Sequence, residues 1–399
     1  MSTFAVVVKR IRAIEPHPNA DLIEFAVIDG YRSVVKKGAL KAGDLVAYIP
    51  EASVLPVWLL KRLGFWSEER NCGLLNGKEG NRVKATAFRG ELSEGICYPV
   101  RHVTTDEEAA KAGFKAPAPF HYLEADTESV GFPEVVVSEG DDVAFWLSIT
   151  KYEPPIPIEM AGQVFNAGQE LTLGFDVENW KSFPDMLKEG DEVVFTEKLH
   201  GTCTVVAILP YKDAHPEAFG EKKNILIFSK GLGSDGLVFK NNVENENNLY
   251  VRSTRKLIAA IDQHLRDNEE ETDVPQFFLG ETFGPGVQDL AYGKEIGFRV
   301  FAAAYGYRGS QRYQDWDLVD GWLKQSFGYE TVPVLYRGPF SVDVMKTFTD
   351  GETSMDAGHI REGIVMVPAI ERLNPVIGRV CLKSVSAGYL MRKNGTEFT

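Results

Sequence analysis

The residue in this sequence best placed for covalent chemistry is Lys198. It stands in Glu197-Lys198-Leu199-His200-Gly201-Thr202, directly after the apolar run Val193-Val194-Phe195-Thr196. A lysine at the end of a strand, tight against a glycine, can be drawn out of water. Loss of hydration and nearby cations lower the pKa of an ammonium group, and only the neutral amine is a nucleophile. Gly201 has no side chain and would let a substrate phosphate approach the backbone. Lysines before turn glycines are also common on surfaces, so the pattern gains meaning only in company.

Several other segments could supply that company. Phe278-Leu279-Gly280-Glu281-Thr282-Phe283-Gly284-Pro285-Gly286 ends a strand with a carboxylate at a glycine-rich turn. Such a group can hold a ribose hydroxyl or a metal-bound water, or can simply face solvent. In Phe298-Arg299-Val300-Phe301, strand alternation puts residues 299 and 301 on one face. Phe301 there offers a ring for a purine to stack on, or fills a core. Arg361-Glu362-Gly363 leads into Ile364-Val365-Met366-Val367, and the hard oxygens of Glu362 suit Mg²⁺. Lys383, in Cys381-Leu382-Lys383-Ser384, could clamp a phosphate or extend along the surface. Gly231-Leu-Gly-Ser-Asp-Gly236 satisfies GxGxxG, but no helical pattern follows it, and a dinucleotide site needs that helix. The Ser229-Lys230 before it places a basic group at the lip of the glycine loop.

The elements that must position these groups fall into two regions. Residues 1–101 hold short β-branched and aromatic runs at Phe4–Val8, Glu24–Ile28, Ser33–Val35, Leu45–Ile49 and Arg82–Ala87, punctuated by Gly or Pro. That spacing predicts a small barrel. Lys36, Lys37, Lys84 and Arg89, with Tyr31, Tyr48 and Trp58, could form a charged stacking surface; the alternative is aromatic core and solvated lysines. Residues 102–164 read as an acidic insert and linker containing Lys115-Ala-Pro-Ala-Pro and Glu153-Pro-Pro-Ile-Pro. Residues 165–399 alternate strands with a helix over Thr254–Leu265, an α+β domain. Strands are expected at Glu192–Thr196, Asn224–Phe228, Gln276–Leu279, Arg299–Ala303, Gly363–Val367 and Arg379–Leu382.

Composition sets the class. With 399 residues, 44% hydrophobic and 25% charged, the chain is globular and long enough for two or three domains. The net charge of −14 is uneven: residues 1–101 carry +4, residues 102–190 carry −12, and the rest −6. The basic first block keeps a nucleic-acid partner open. Four scattered cysteines exclude a CxxC metal knuckle and a disulfide scaffold. No apolar run reaches the roughly 18 residues that span a bilayer. A soluble, cytoplasmic protein with no membrane partner is expected.

Taken in order, Lys-x-His-Gly, Ser-Lys, Gly-Glu-x-x-Gly, an aromatic strand, Glu-Gly and Lys-Ser resemble the motif series of the covalent nucleotidyltransferases, the polynucleotide ligases and capping enzymes. Gly284-Pro-Gly-x-Gln and Tyr292-Gly293 look like the ATP-dependent RNA ligases in particular. His17-Pro-Asn-Ala-Asp-Leu and Gly43-Asp-Leu-Val-Ala-Tyr-Ile-Pro are similar to OB-type tRNA-binding modules. An N-terminal OB-like β-barrel, Ile149-Thr-Lys-Tyr-Glu-Pro-Pro in the connector, and only sixteen residues after Lys383 resemble the Deinococcus-type RNA ligases. Two positions depart from the pattern: Cys381 stands where many relatives have a second lysine, and Ala302 where many have Asp.

The resemblance implies an N-terminal OB module followed by a ligase-type nucleotidyltransferase domain that uses ATP with Mg²⁺ or Mn²⁺. It implies that Lys198 forms lysyl-AMP, that Glu197 and Phe301 border the adenine, and that Glu281 meets ribose or a metal-bound water. It further implies that Glu362 holds the metal, Lys383 and Lys230 meet the nucleotide phosphate or a strand end, and His200 faces the departing pyrophosphate. Gly201 belongs to the same nucleotide-binding set. The expected partner is RNA, as a nicked duplex or RNA/DNA hybrid, and the expected state a monomer. Two alternatives are a GTP-using capping-type enzyme and a nucleic-acid-binding protein with an inactive transferase domain.

Overall fold

The computed structural model describes residues 4–115, 117–153, 160–268, 271–355 and 357–392. Most of the predicted Glu153-Pro-Pro-Ile-Pro connector and Ala116 of Lys115-Ala-Pro-Ala-Pro lie outside the described residues. The chain divides into two compact units, Thr3–Glu153 and Pro154–Thr399, the latter together with Met1–Ser2.

The first unit is an OB fold. Its strands are β1 (Val7–Arg10), β2 (Ala13–Pro16), β3 (Ile23–Ile28), β4 (Tyr31–Lys36), β5 (Leu45–Ile49), β6 (Thr86–Phe88), β7 (Glu91–Ser93) and β8 (Ile96–Pro99). They form the ladders β1-β5-β8, β2-β3-β4 and β7-β6. The five runs expected from the sequence all contribute, and the run at 82–87 narrows to Thr86–Phe88 with isolated bridges at Arg82. His17 ties this unit together, its Nε2 3.0 Å from the Phe88 carbonyl and its ring stacked on Phe25. Tyr48 is buried in the core and stacks on Tyr31, and Trp58 packs against the core, so these rings are not an outward stacking platform. Within the acidic segment, β9 (Arg101–Val103), β10 (Phe120–Glu124) and β11 (Glu134–Val137) form a sheet. Leu123, Val137, Val143 and Leu147 from it share one core with Val6, Val8 and Ala47.

The second unit is built on two five-stranded sheets. The first has the order β12 (Glu178–Asn179), β21 (Leu382–Val385), β20 (Gly363–Pro368), β13 (Glu192–Lys198), β19 (Val334–Pro339). The second has β15 (Ile225–Ser229), β14 (Thr202–Ile208), β16 (Gln276–Phe283), β17 (Gly297–Tyr305), β18 (Arg312–Tyr313). Helices α1 (Leu249–Asn268) and α2 (Trp316–Phe327) cover the outer face of the second sheet through Leu257, Ile261, Val319 and Leu323. Helix α1 starts earlier than the periodicity predicts because the Asn248 side chain accepts from the Tyr250 and Val251 amides. Helix α3 (Val342–Thr349) closes the outer face of the first sheet with Met345 against Phe195, Ile364 and Met366. The inner faces meet in a cluster holding Val194, Val367 and Cys381 from one sheet and Phe283 from the other.

One sequence expectation changes here and another holds. The strand expected at 379–382 is broken: Gly378–Arg379 pairs back on Leu373–Asn374, while Leu382–Val385 joins β20. The GxGxxG segment is a short helix, Lys230–Ser234, followed by a strand, Leu237–Phe239, in keeping with the rejection of a dinucleotide site.

Candidate active site

Alternation along β13 aims Thr196 and Lys198 into the space between the sheets, in register with Val365 and Gly363 of β20, and Lys383 of β21 pairs with that same Val365. Lys198 and Lys383 therefore share one face. Lys198 Nζ lies 2.7 Å from Glu362 Oε1. Glu362 precedes β20, which carries it to the mouth of the same row.

The opposite wall comes from the second sheet. Cys203 of β14 pairs with Glu281 of β16. Phe301 shares the face of Arg299, the partner of Glu281, and the ladder is irregular just beyond it. In the β16–β17 ladder Leu279 pairs with Ala302 and Gly280 with Val300, leaving Phe301 as an extra residue. Such a bulge turns two consecutive side chains to one side, so Phe301 and Ala302 both face the inner cluster while Val300 and Ala303 face α1. Simple alternation, as read from the sequence, ends at that point. The Phe301 ring lies 6.1 Å from Phe175, and the Lys230 ammonium sits 5.7 Å over Phe175 while paired with Asp176.

The charges in this cleft are coupled. Burial would lower the Lys198 pKa, but Glu362 and Glu281 outweigh it and hold the ammonium form above its ordinary value. Burial would raise Glu362, but Lys198 and then His200 keep it below the usual carboxylate range. Burial pushes Glu281 up to about 8 against the pull of Lys198. Lys383 is lowered, by burial first and then by Lys198.

Glu281 has a consequence for stability. It keeps its proton to about pH 8 when folded, against an ordinary value of 4.5. Between those values the folded chain binds the extra proton, so this group's contribution to stability is present at low pH and is lost as pH rises through 8. Glu281→Gln, which has no proton to lose, is expected to gain melting temperature over wild type by a few degrees at pH 8.5 and by little at pH 5. A difference independent of pH would contradict this.

The turn after Lys198 is held on all sides. A Cβ on Gly201 would fall 2.1 Å from the Thr282 carbonyl oxygen, so glycine at this position serves close strand contact. Gln288 donates to the Gly201 carbonyl, and the His200 amide donates to the Tyr292 hydroxyl at 2.8 Å. The Gly284-Pro-Gly-x-Gln and Tyr292 segment thus grips the lysine turn. His200 is buried, with Nε2 2.8 Å from Asp289, and Nδ1 2.9 Å from the Tyr389 hydroxyl and 3.4 Å from Glu362 Oε2.

Two residues stand apart. Glu197 points to the other face of β13; Ser354 donates to its Oε2 through N at 2.8 Å and Oγ at 2.6 Å, and Thr353 donates to its Oε1. Arg379 is committed to a bidentate pair with Glu371 and lies 4.2 Å over the Tyr313 ring, so it does not occupy the place of Cys381. Cys381 is buried, and burial pushes its thiol up to about 11. Asp176, Asp289, Tyr389 and Arg392 were not picked out from the sequence. Only the nearby Gln288 and Tyr292 gave a signal there.

Among the described residues no group of three or more His, Cys, Asp or Glu forms a ready metal cage. Glu281 and Glu362 supply two hard carboxylates on facing walls. That donor set fits a small divalent cation that keeps waters and takes phosphate oxygens as its remaining ligands. Among the described residues no helix is long and apolar enough to cross a membrane.

Residues 191–385 match the RNA ligase family, and residues 5–100 match an OB-fold domain family. No curated protein sequence matches. The fold is that of the Naegleria gruberi RNA ligase: a variant in the apo state has TM-score 0.67 and 20% identity, covering 98% of each chain. A lysine-to-alanine variant of that protein with ATP and Mn has TM-score 0.66 and 19% identity, covering 96% of this chain and 97% of the other. Its complex with PPi has TM-score 0.66 and 20% identity, with the same coverage. Residues 191–385 of this chain thus match an RNA ligase domain, and the residues before them match an OB-fold domain.

Proposed function

We propose that this chain is an ATP-dependent RNA ligase that joins 3′-OH and 5′-phosphate ends through a lysyl-AMP at Lys198. The observation that carries the reading is a half-buried lysine, 2.7 Å from its carboxylate partner, in a cleft shared with Glu281, Lys230 and Lys383. The Naegleria gruberi complexes with ATP, AMP and Mn support the choice of nucleotide and cation.

In the first step Lys198 Nζ, having lost its proton, attacks the ATP α-phosphorus. A P–N bond forms and the bond to pyrophosphate breaks. The AMP then passes to the RNA 5′-phosphate, freeing Lys198. Finally the 3′-OH attacks that activated phosphorus and AMP leaves. The chain contributes position and charge. Lys383 and Lys230 meet the α-phosphate and the strand end, Phe301 stacks on adenine, and Glu281 holds the ribose. Glu197, on the other face of β13 and held by Thr353 and Ser354, is left out of this set. Gly201 keeps the lysine turn against β16, and His200 faces the departing pyrophosphate. Glu362 and Glu281 would hold Mg²⁺ or Mn²⁺, which would neutralise phosphate charge.

The enzyme is of the Deinococcus type, a cytoplasmic monomer that seals nicks in RNA duplexes or RNA/DNA hybrids during repair. Its domains are the OB module to residue 101, an acidic insert and linker over 102–164, and the transferase from 165. Incubated with ATP and Mg²⁺ or Mn²⁺, the protein is expected to gain the mass of one AMP, and to lose it on addition of a 5′-phosphorylated nicked RNA duplex. A folded sample, free of AMP as purified, that takes up nothing from ATP or GTP would sink the reading.

A further inference from the structure

His200 is gripped by a part of the chain to which no role has been given, residues 386–392. Ser386 begins it: its amide donates to the Glu362 carbonyl at 2.9 Å, and its hydroxyl donates to Asp350 Oδ1 at 2.6 Å. That hydroxyl also accepts the Tyr389 amide at 3.2 Å, starting helix α4 (Ala387–Leu390). The helix puts the buried Tyr389 hydroxyl 2.9 Å from His200 Nδ1. One turn on, the Arg392 guanidinium lies 3.8 Å over the Tyr389 ring. Its Nη2 donates to both oxygens of Asp289, at 3.2 and 2.9 Å. Asp289 Oδ1 is 2.8 Å from His200 Nε2. The four side chains close a ring: His200, Tyr389, Arg392, Asp289.

We propose that Tyr389 and Arg392 are positioning residues for the attack of Lys198 on ATP, acting through His200. The carboxylate of Asp289 requires a hydrogen on Nε2. The Tyr389 hydroxyl serves Nδ1 in either protonation state, donating to a bare nitrogen or accepting from N–H. The ring orientation is therefore fixed whatever proton His200 carries. In that orientation Nδ1 faces Glu362 Oε2 at 3.4 Å, and the other Glu362 oxygen holds Lys198. A loosened His200 disturbs the pair from which the nucleophile must be released, and the group that faces pyrophosphate. Pyrophosphate leaves only in the first step, so that step should bear the effect. The inference rests on the reading of Lys198 as the adenylylated residue.

The test compares two single-turnover reactions of the full chain: AMP transfer from ATP to the enzyme, and sealing of a nicked duplex whose 5′ end already carries AMP, without ATP. Tyr389→Phe and Arg392→Gln are each expected to slow the first about tenfold, the scale of one buried hydrogen bond. The second should stay within about twofold, since no pyrophosphate takes part in it. Arg392→Lys, which keeps a charge on Asp289, should recover part of the loss. Tyr389→Phe removes one oxygen and no carbon, so it decides the matter if Arg392→Gln melts. If Tyr389→Phe adenylylates at the wild-type rate, or slows both reactions equally, the proposal is wrong while the ligase reading stands. If the wild-type chain takes no AMP at all, both fall.

Discussion

Lys198→Ala is expected to form no AMP adduct under conditions in which wild type is fully adenylylated, a loss of at least about 10⁴-fold, the scale of removing a covalent nucleophile. Neighbouring lysines do not rescue it. Lys230 is paired with Asp176. Lys383 lies on the same face, and its pKa is depressed by burial and by the charge of Lys198. Removing Lys198 removes that repulsion while Glu362 remains, so Lys383 becomes more firmly an ammonium and a poorer nucleophile. The variant should still seal a pre-adenylylated strand measurably, because that reaction needs no lysyl-AMP. It should also melt lower than wild type, since Glu362 loses a half-buried partner, a change worth up to about 3 kcal/mol. Intact mass after ATP, circular dichroism and a sealing assay on pre-adenylylated RNA check all three. An adduct on the variant, mapped to Lys383 or Lys230, would overturn the assignment of the nucleophile.

The parts of this site that could be read in the sequence are those written along a strand. Lys198, Glu281, Glu362 and Lys383 each end or enter an apolar run, and the resemblance of their order to the nucleotidyltransferase motif series placed them in one set. What could not be read depends on contacts between distant segments. Alternation from Arg299 puts Phe301 on the cleft face, but it cannot register the extra residue that turns Ala302 to the same side. Asp289 and Tyr389 meet His200 from positions 89 and 189 residues away in sequence, and Arg392 in turn holds both of them. Glu197 could be named as a neighbour of the lysine, but its engagement by Thr353 and Ser354 depends on a loop more than 150 residues on. In the first unit, β-branched runs marked the strands well, yet nothing in Tyr48 itself distinguishes a core ring from a stacking surface. Its neighbours across β5 decide that.

Gly363→Ala is expected to be the most damaging small substitution in the second unit. Gly363 sits in the middle of a cross-strand row, Lys198–Gly363–Val385, so it spaces the nucleophile's strand from the strand that carries Lys383. Its φ of +151° is a conformation that residues with a side chain rarely adopt. A Cβ there would stand 2.1 Å from the Ser384 carbonyl oxygen and 2.9 Å from Val385 Cα, both backbone atoms that cannot rotate away. Relief requires β20 and β21 to part, breaking ladder hydrogen bonds in a sheet whose outer face is sealed by Phe195, Ile364 and Met366. Strain and lost pairing together should cost about 3–5 kcal/mol, a fall in melting temperature of roughly 6–20 °C for a domain of this size. Adenylylation should fall as well, even at temperatures where the variant is folded, because Glu362 is the next residue and Lys383 lies on the displaced strand. Val365→Ala, two residues along the same strand, is the control. It trims a partly buried side chain and leaves the backbone row intact, so it should lose less stability and keep most of its adenylylation rate. If Gly363→Ala melts with wild type, or if the Val365 control is equally damaged, the spacing role of Gly363 is wrong.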